Sequence, residues 1–269
     1  MKERLFIILV FIGLLLCVSS KSQTGDNSHS ETWNIDNTNR IGEQNTTKLG
    51  EPVIIETDKG IAVEFDGVDE GLIVDANPLS GAIEFTIEVV FKPYSSSLAP
   101  NNEQRFIHMQ ESDNRRVLIE LRLTNDDQWF LDTFIKGDAS SKALYAENFP
   151  HPIGNWYHAA LVYENGEMRH FVNGIEELSG EVRYLPMQTG KTSVGVRLNQ
   201  RSWYKGAIRK LKVTHRALIP EEFMIMSTGI EMDGYNERHL ELNQNLPNRF
   251  NQSIYGAASM CTDYMSVQI

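Results

Sequence analysis

The chain carries many short runs in which apolar and polar residues alternate, and clusters of Gly, Asn, Asp and Pro separate these runs. Because successive side chains of a strand point to opposite faces, each run predicts a half-buried β-strand. The runs lie at residues 52–57, 61–65, 72–75, 84–92, 105–110, 117–123, 129–134, 156–164, 168–172, 191–197 and 206–215. The only helix that the pattern predicts is a short one at 220–226, where Pro220 suits a first turn. This pattern predicts an all-β protein, a two-sheet antiparallel sandwich in a single domain.

The same alternation predicts the core and two turns. Seven apolar residues at alternating positions of these runs are expected between the sheets, namely Phe65, Phe85, Ile87, Val89, Leu121, Leu161 and Ile208. Asn165-Gly166 stands between two alternating runs, which predicts a tight hairpin. Asn173-Gly174 predicts a second turn soon after it.

Three segments in fixed order resemble a known family. They are FDGVDEGLIVDANPLSGAIEFTIEVVFKP from Phe65, NWYHAALVYENGEMRHFVNG from Asn155 and TSVGVRLNQRSWYKGAIRKLKVTHRALIPEEF from Thr192. Together they resemble a laminin-G-like jelly roll of the concanavalin A-like lectin/glucanase superfamily, over about residues 51–223. The resemblance implies a jelly-roll sandwich that binds or processes polysaccharide on its concave sheet.

One position departs from that family. Ile208 is followed by Arg209 and Lys210, where domains of this kind often carry an Asp-Glu pair. Some members hold a structural Ca²⁺ with carboxylates near the first and last strands, and Ca²⁺ needs about six to eight oxygen ligands. A structural Ca²⁺ therefore stays possible by resemblance, without an identified site, and no other cofactor is expected.

The N-terminus predicts export. Lys2 and Arg4 precede an apolar run at 5–18, and small serines follow, which is typical of a secretory signal peptide at residues 1–22. The run is shorter than the roughly 20 residues that a spanning helix needs, so no integral membrane segment is expected after cleavage. The Ser-Gln step at the predicted cut resembles Bacteroidetes signal peptides. We expect a secreted or periplasmic protein, with a lipid anchor at Cys17 as the less favoured alternative because Leu16 precedes it.

The rest of the chain divides into three parts by composition. Residues 23–50 are polar and predict a segment that precedes the sandwich and lies over it as a loop. Residues 51–226 form the predicted jelly roll, and residues 227–269 have no clear period and no assigned role.

Charge and cysteine content narrow the partners. The formal net charge of −11 argues against nucleic acid, because its phosphates would be repelled. The chain has two cysteines, and cleavage after residue 22 leaves only Cys261, which excludes an intramolecular disulfide. The sandwich must then be stabilised by core burial, or by core burial together with a bound metal, and not by disulfides.

The polar faces of three predicted strands supply the candidate binding site. Residues two apart share a face, so several long polar side chains should stand together opposite the core. The candidate ligand-binding residues are Gln110, Glu120, Arg122, Arg197, Asn199 and Trp203, with His108 as the one candidate for catalysis. Arginines suit carboxylate or sulfate groups, which favours an anionic polysaccharide as the partner. The family resemblance suggests an accessory role in glycan capture or breakdown, and an algal polysaccharide such as ulvan would fit.

Several alternatives stay open. The face could be an ordinary solvated sheet surface, or the protein could be a non-catalytic interaction module. A polysaccharide lyase would use His108 as the base and Arg122 to neutralise a uronate. A glycoside hydrolase is less favoured, because the Glu-x-Asp-x-x-Glu run of laminarinase-like relatives is absent. Zinc spacings, a nucleophile elbow and a phosphate loop are also absent, so a non-catalytic protein is favoured.

Overall fold

A computed structural model describes residues 29–96 and 102–224, all within the unit that spans residues 1–226. The predicted signal peptide at 1–22, residues 23–28 and the C-terminal segment at 227–269 lie outside the described residues. Within the described residues no helix is long and apolar enough to cross a membrane.

The described chain is almost entirely β-structure. In chain order the strands are β1 (Ser30–Asn34), β2 (Arg40–Ile41), β3 (Gln44–Leu49), β4 (Val53–Thr57), β5 (Gly60–Asp66), β6 (Gly71–Val74), β7 (Phe85–Pro93), β8 (Glu103–Ser112), β9 (Arg115–Leu123), β10 (Gln128–Gly137), β11 (Ser140–Tyr145), β12 (His151–Pro152), β13 (Tyr157–Glu164), β14 (Glu167–Val172), β15 (Ile175–Glu181), β16 (Lys191–Val194) and β17 (Lys205–Thr214). The predicted helix is a single 3₁₀ turn at Pro220–Glu222.

The strands form two antiparallel sheets. The first sheet has the order β15-β14-β13-β7-β17-β5-β4, and β1 also pairs with β17. The second sheet has the order β11-β10-β9-β8-β16-β6-β3-β2, and β12 also pairs with β10. The all-β, two-sheet jelly-roll prediction is confirmed.

The core lies between the two sheets. All seven predicted core residues are buried there, none more than 1% exposed. Aromatic rings join the sheets, because Phe91 of β7 stacks on Phe106 of β8 with ring centroids 4.6 Å apart and meets Trp129 of β10 edge-on at 5.2 Å. Such contacts fix the separation and register of the two sheets.

The sandwich begins before residue 51, which corrects the predicted loop within 23–50. β1 pairs along β17 and β3 pairs along β6, so this segment contributes strands to both sheets. Trp33 and Ile35, at and just after the end of β1, are buried in the core. Most of the polar residues that suggested a loop are exposed or half-buried, and Thr38 is the buried exception.

Both predicted turns are present. Asn165 and Gly166 have φ of 51° and 88°, and Asn173 and Gly174 have φ of 51° and 80°. Two successive residues with positive φ form the turn that matches the twist of a two-residue hairpin. These turns place β13, β14 and β15 side by side in the first sheet.

Candidate functional site

The outer face of β8, β9, β10 and β11 carries most of the long polar side chains in the second sheet. In β9 the core face holds Val117, Ile119 and Leu121, so Leu118 and Glu120 point outward. Cross-strand register places Arg105 and Asp132 on either side of Glu120, on the same face. A bulge between Arg105 and Ile107 lets β8 follow the core and still present Arg105 outward.

A pocket of about 170 Å³ opens on this face. It is lined by Arg105, Arg116, Leu118, Glu120, Arg122, Asp132, Phe134, Ala143, Tyr145 and Arg197. All but one of these residues come from the four strands, and Arg197 reaches in from the loop that follows β16. We call this the arginine pocket.

Two ion pairs cross the floor of the arginine pocket. The Nε of Arg105 donates to Glu120 at 2.9 Å, and the Nε of Arg122 donates to Asp132 at 2.9 Å. Glu103 joins them, because it contacts Arg105 and lies 2.9 Å from Nη1 of Arg122. Each of these two arginines is therefore already balanced by carboxylates.

The two carboxyl groups on the floor are hard to ionise. Glu120 and Asp132 are directly opposite on neighbouring strands and are 4% and 2% exposed. Burial, followed by the charge of Asp132, raises the pKa of Glu120 to about 7. Burial also raises the pKa of Asp132 to about 6, although Arg122 opposes that shift. The charge of the pocket therefore changes near neutral pH.

The other two arginines of the pocket lack a carboxylate partner among the described residues. Arg116 donates to the backbone carbonyl of Asp113, and its guanidinium carbon lies 5.2 Å from the ring centroid of Phe134. Arg197 makes no side-chain hydrogen bond or ion pair within the described part of the chain. The Nε atoms of both arginines are buried without a hydrogen-bond partner.

Arg197 is presented by a loop, which corrects the predicted strand at 191–197. β16 ends at Val194 because Gly195 has φ of 79° and lies against the Phe65 ring, where an added Cβ would come within 2.5 Å. The chain then turns back, and Gln200 donates to the carbonyl of Arg197 at 2.7 Å. Only glycine fits this bend, so Arg197 owes its position to Gly195.

His108 supports this loop from below. It is fully buried on β8, and its Nδ1 accepts a hydrogen bond of 3.1 Å from the backbone N–H of Leu198. Burial, followed by the positive charge of Arg197, lowers the pKa of His108 to about 3. The imidazole is therefore neutral at physiological pH, with its proton on the buried Nε2. A side chain whose free lone pair is already engaged is a poor general base, so the geometry gives no support to a lyase that uses His108.

The structure brings together part of the predicted site. Glu120, Arg122 and Arg197 line the arginine pocket, whereas His108 lies beneath it. The remaining three predicted residues, Gln110, Asn199 and Trp203, are not among the residues that line it. Gln110 donates to Asp113 at 3.1 Å at one end of the face, and Asn199 and Trp203 lie in the loop that follows Arg197.

Sequence reasoning missed several residues of the pocket wall, among them Arg116, Asp132, Phe134 and Tyr145. Arg116 shares strand parity with Glu120 and Arg122, so the alternation in β9 already contained it. Asp132 and Phe134 stand on the same parity in β10. Tyr145 could not be found this way, because its strand β11 was not predicted.

No group of three or more His, Cys, Asp or Glu side chains that could hold a metal ion occurs at residues 29–96 and 102–224. Asp66, the acidic residue of the FDG turn, uses its carboxylate on the backbone N–H groups of Val68 at 2.8 Å and Asp69 at 3.3 Å.

A second, larger depression lies at the β13–β14 hairpin. It has a volume of about 870 Å³, and its charged lining residues are Glu167, Glu181 and Arg183. Two carboxylates against one guanidinium give it an excess of negative charge. It is thus less suited to an anionic ligand than the arginine pocket.

Comparison with known families and structures agrees with this architecture. Residues 66–223 match the family model Laminin_G_3, described as the concanavalin A-like lectin/glucanases superfamily. No curated protein sequence matches the chain.

Two solved structures illustrate the likeness. Domain 4 of AbnA, a GH43 extracellular arabinanase from Geobacillus stearothermophilus solved in complex with arabinotriose, is 18% identical with a TM-score of 0.54. The comparison covers 72% of this chain and 96% of that domain. The binding domain of botulinum neurotoxin DC, solved in complex with SialylT, is 15% identical with a TM-score of 0.53, over 71% of this chain and 49% of the other. At these identities the likeness shows a shared fold.

Proposed function

Because the chain belongs to the concanavalin A-like lectin/glucanase superfamily, we propose that it is a non-catalytic polysaccharide-binding protein that uses the arginine pocket. The proposed ligand is an anionic polysaccharide. The observation that carries this proposal is the composition of the pocket, in which four guanidinium groups surround a floor with two carboxyl groups whose pKa values are raised. Such a pocket attracts anionic ligands although the chain as a whole carries a net charge of −11.

The wall of the pocket offers the aromatic surface that a sugar ring needs. Tyr145 is 51% exposed, and the guanidinium of Arg122 lies 5.1 Å from its ring centroid. Arg122 is itself fixed by Asp132 and Glu103, so the Tyr145 ring is held at a defined place at the pocket edge. A rigid aromatic side chain covers apolar area at low cost in conformational entropy.

The two structural relatives support a glycan as the ligand class. One is a domain of an arabinanase bound to arabinotriose, and the other is a binding domain in complex with SialylT. A shared fold does not transfer a function, so these proteins supply an analogy, and the pocket supplies the argument.

The N-terminal sequence extends the proposal to location and role. We propose export through the signal peptide at 1–22, to the periplasm or the exterior, with Cys17 as the less favoured lipid anchor. An accessory role in the capture or breakdown of an anionic polysaccharide, for example algal ulvan, follows from the proposed ligand and location.

A binding screen tests the proposal. Purified protein without residues 1–22 should bind ulvan, alginate or pectate and should bind the neutral glucan laminarin much more weakly. Titration calorimetry and retardation in polysaccharide-containing native gels measure this difference. Two results would overturn the proposal. One is that the protein binds laminarin as tightly as it binds the acidic polysaccharides, and the other is that it binds no polysaccharide at all.

Replacing Tyr145 by Ala should weaken polysaccharide binding about tenfold. If the sugar covers roughly 50 Å² of apolar ring, the lost contact is about 1.3 kcal/mol. Phe149 is a matched control, because it is also aromatic and exposed but does not line the pocket. Phe149→Ala should leave the affinity unchanged, and a similar loss in both variants would remove Tyr145 from the site.

The wild-type protein should release no unsaturated uronate from any acidic polysaccharide. The reason is the neutral, buried imidazole of His108, whose accepting nitrogen is already bound to Leu198. Absorbance of the unsaturated product during long incubations measures this. Product that accumulates with the wild type and disappears with His108→Ala would identify a lyase instead.

A further inference from the structure

The arginine pocket contains two kinds of guanidinium group. Arg105 and Arg122 are paired with Glu120 and Asp132, and Glu103 contacts both arginines, so these five side chains form one set of ion pairs. Arg116 and Arg197 have no carboxylate partner among the described residues. In the part of the chain that the structure describes, Arg116 and Arg197 are therefore the two guanidinium groups of the pocket without a direct carboxylate contact.

We infer that Arg116 and Arg197 form an oxyanion subsite that binds one carboxylate or sulfate group of a bound sugar unit. This inference rests on the proposed polysaccharide-binding function and adds which atoms select the ligand. The sequence analysis selected Arg122 as the residue that neutralises a uronate. The inference assigns that role to Arg116, which the sequence analysis did not select.

Unsatisfied buried donors support the subsite. The Nε atoms of Arg116 and Arg197 are both buried without a hydrogen-bond partner. The two guanidinium groups are thus partly desolvated without a carboxylate contact from the described residues, and an oxyanion in the pocket that they line would gain charge-assisted hydrogen bonds from them. A carboxylate presents two oxygens in a plane and a sulfate ester presents three, and a guanidinium group can donate two parallel hydrogen bonds to either anion.

The Arg116 side chain and the backbone that carries Arg197 are fixed before a ligand arrives. Arg116 rests over the Phe134 ring and donates to the Asp113 carbonyl. The Arg197 loop is held by the Gly195 bend and by the hydrogen bond from Leu198 to His108. His108 is thus a positioning residue for the subsite, and little ordering entropy is lost when the anion binds.

The electrostatic surroundings point to the same anion. Burial, followed by the charges of Arg105 and Arg116, lowers the pKa of Arg197. Burial likewise lowers the pKa of Arg116, and Arg105 adds to the lowering, whereas the charges of Asp113 and Glu120 oppose it. Like charges held together in a half-buried pocket gain most from a bound anion.

The test compares three polymers and three arginine variants. The polymers are a polyuronate, the same polymer after chemical reduction of its carboxyl groups, and a sulfated neutral galactan. Arg116→Ala and Arg197→Ala remove the subsite. Arg115→Ala is the matched control, because Arg115 is the chain neighbour of Arg116 but pairs with Asp138 at 3.0 Å outside the pocket.

We expect the wild type to bind the polyuronate at least about tenfold more tightly than its carboxyl-reduced form. Arg116→Ala and Arg197→Ala should each abolish most of this preference and flatten the dependence of affinity on salt. Arg115→Ala should leave both unchanged. Arg197→Lys should recover only part of the preference, because lysine keeps the charge and loses the fork. Thermal unfolding of each variant checks that the sandwich is intact.

The outcomes separate this inference from the proposed function. If the sulfated galactan is bound best and with the same dependence on Arg116 and Arg197, the subsite stands with sulfate as its anion. If the polyuronate and its reduced form bind equally, or if Arg115→Ala loses as much as Arg197→Ala, the subsite is wrong while polysaccharide binding stands. Failure of the wild type to bind any polymer would overturn both.

Discussion

Leu161→Ala should lower the free energy of unfolding by about 2–5 kcal/mol, the usual range for truncation of a buried leucine. Leu161 is fully buried in the middle of β13, and its register partner across the strand pair is Ile87 of β7. Both side chains belong to the core between the two sheets. The cost has two parts, the lost burial of the side chain and the cavity that the rigid sheets leave behind. Equilibrium unfolding in urea measures this change in free energy, provided that the dependence of the free energy on urea concentration is the same for both proteins.

Ile175→Ala is the matched control for this experiment. Ile175 is also a branched aliphatic residue in a strand of the same sheet, but it is 70% exposed at the start of β15. Its truncation should change the unfolding free energy by less than about 0.5 kcal/mol. A Leu161→Ala protein as stable as Ile175→Ala would show that the strand parity in β13 is assigned to the wrong face.

The sequence alone predicts the sandwich because its central strands alternate strongly. From Arg116 onward β9 alternates apolar and polar residues except at Leu118, and a one-residue slip would expose Val117, Ile119 and Leu121 together. The turns at Asn165-Gly166 and Asn173-Gly174 are equally legible, because both central positions need positive φ. Strong local signals of this kind agree with the tertiary structure.

The N-terminal strands escape sequence reasoning for a physical reason. β3 reads Gln-Asn-Thr-Thr-Lys-Leu, and its side chains are half-buried or exposed. Its strand conformation comes from backbone pairing with β6, and pairing partners are not visible in a local pattern. Edge strands with little core contact are therefore the part of such a fold that periodicity predicts least well.

The candidate site also contains residues that a local pattern predicts and residues that it cannot predict. Glu120 and Arg122 are correctly placed on one face because parity within β9 decides it. The position of Arg197 depends on a bend at Gly195 that tertiary contact with Phe65 imposes, and the predicted strand therefore misplaced Asn199. Parity assigns a face, but which faces meet in a pocket depends on loops and on neighbouring strands such as β11.

Binding of an acidic polysaccharide should tighten about tenfold as the pH falls from 8 to 5.5. Protonation of Glu120, whose pKa is about 7, and of Asp132, whose pKa is about 6, removes negative charge from the pocket floor. The arginines keep their charge throughout, and His108 stays neutral because its pKa is about 3. A tenfold change corresponds to about 1.4 kcal/mol, a modest interaction for charges that share a half-buried pocket. Titration calorimetry against a polyuronate at fixed ionic strength measures it.

Glu120→Gln isolates the source of this pH dependence. The amide imitates the protonated carboxyl, so the variant should bind at pH 8 about as tightly as the wild type binds near pH 6, and only the smaller step due to Asp132 should remain. Arg105 keeps its contact with Glu103 in this variant, which preserves the pocket wall.

Glu167→Gln is the control, because it removes an exposed carboxylate outside the pocket and should retain the full pH dependence of binding.

The pH dependence of stability gives an independent check on Glu120. Its raised pKa contributes stability that is fully present below about pH 4.5, its ordinary pKa, and is lost as the pH rises through about 7. The free energy of unfolding of Glu120→Gln, measured relative to that of the wild type, should therefore be higher at pH 8 than at pH 5. An equal pH response in the wild type and in Glu120→Gln, for both affinity and stability, would assign the titration to another group.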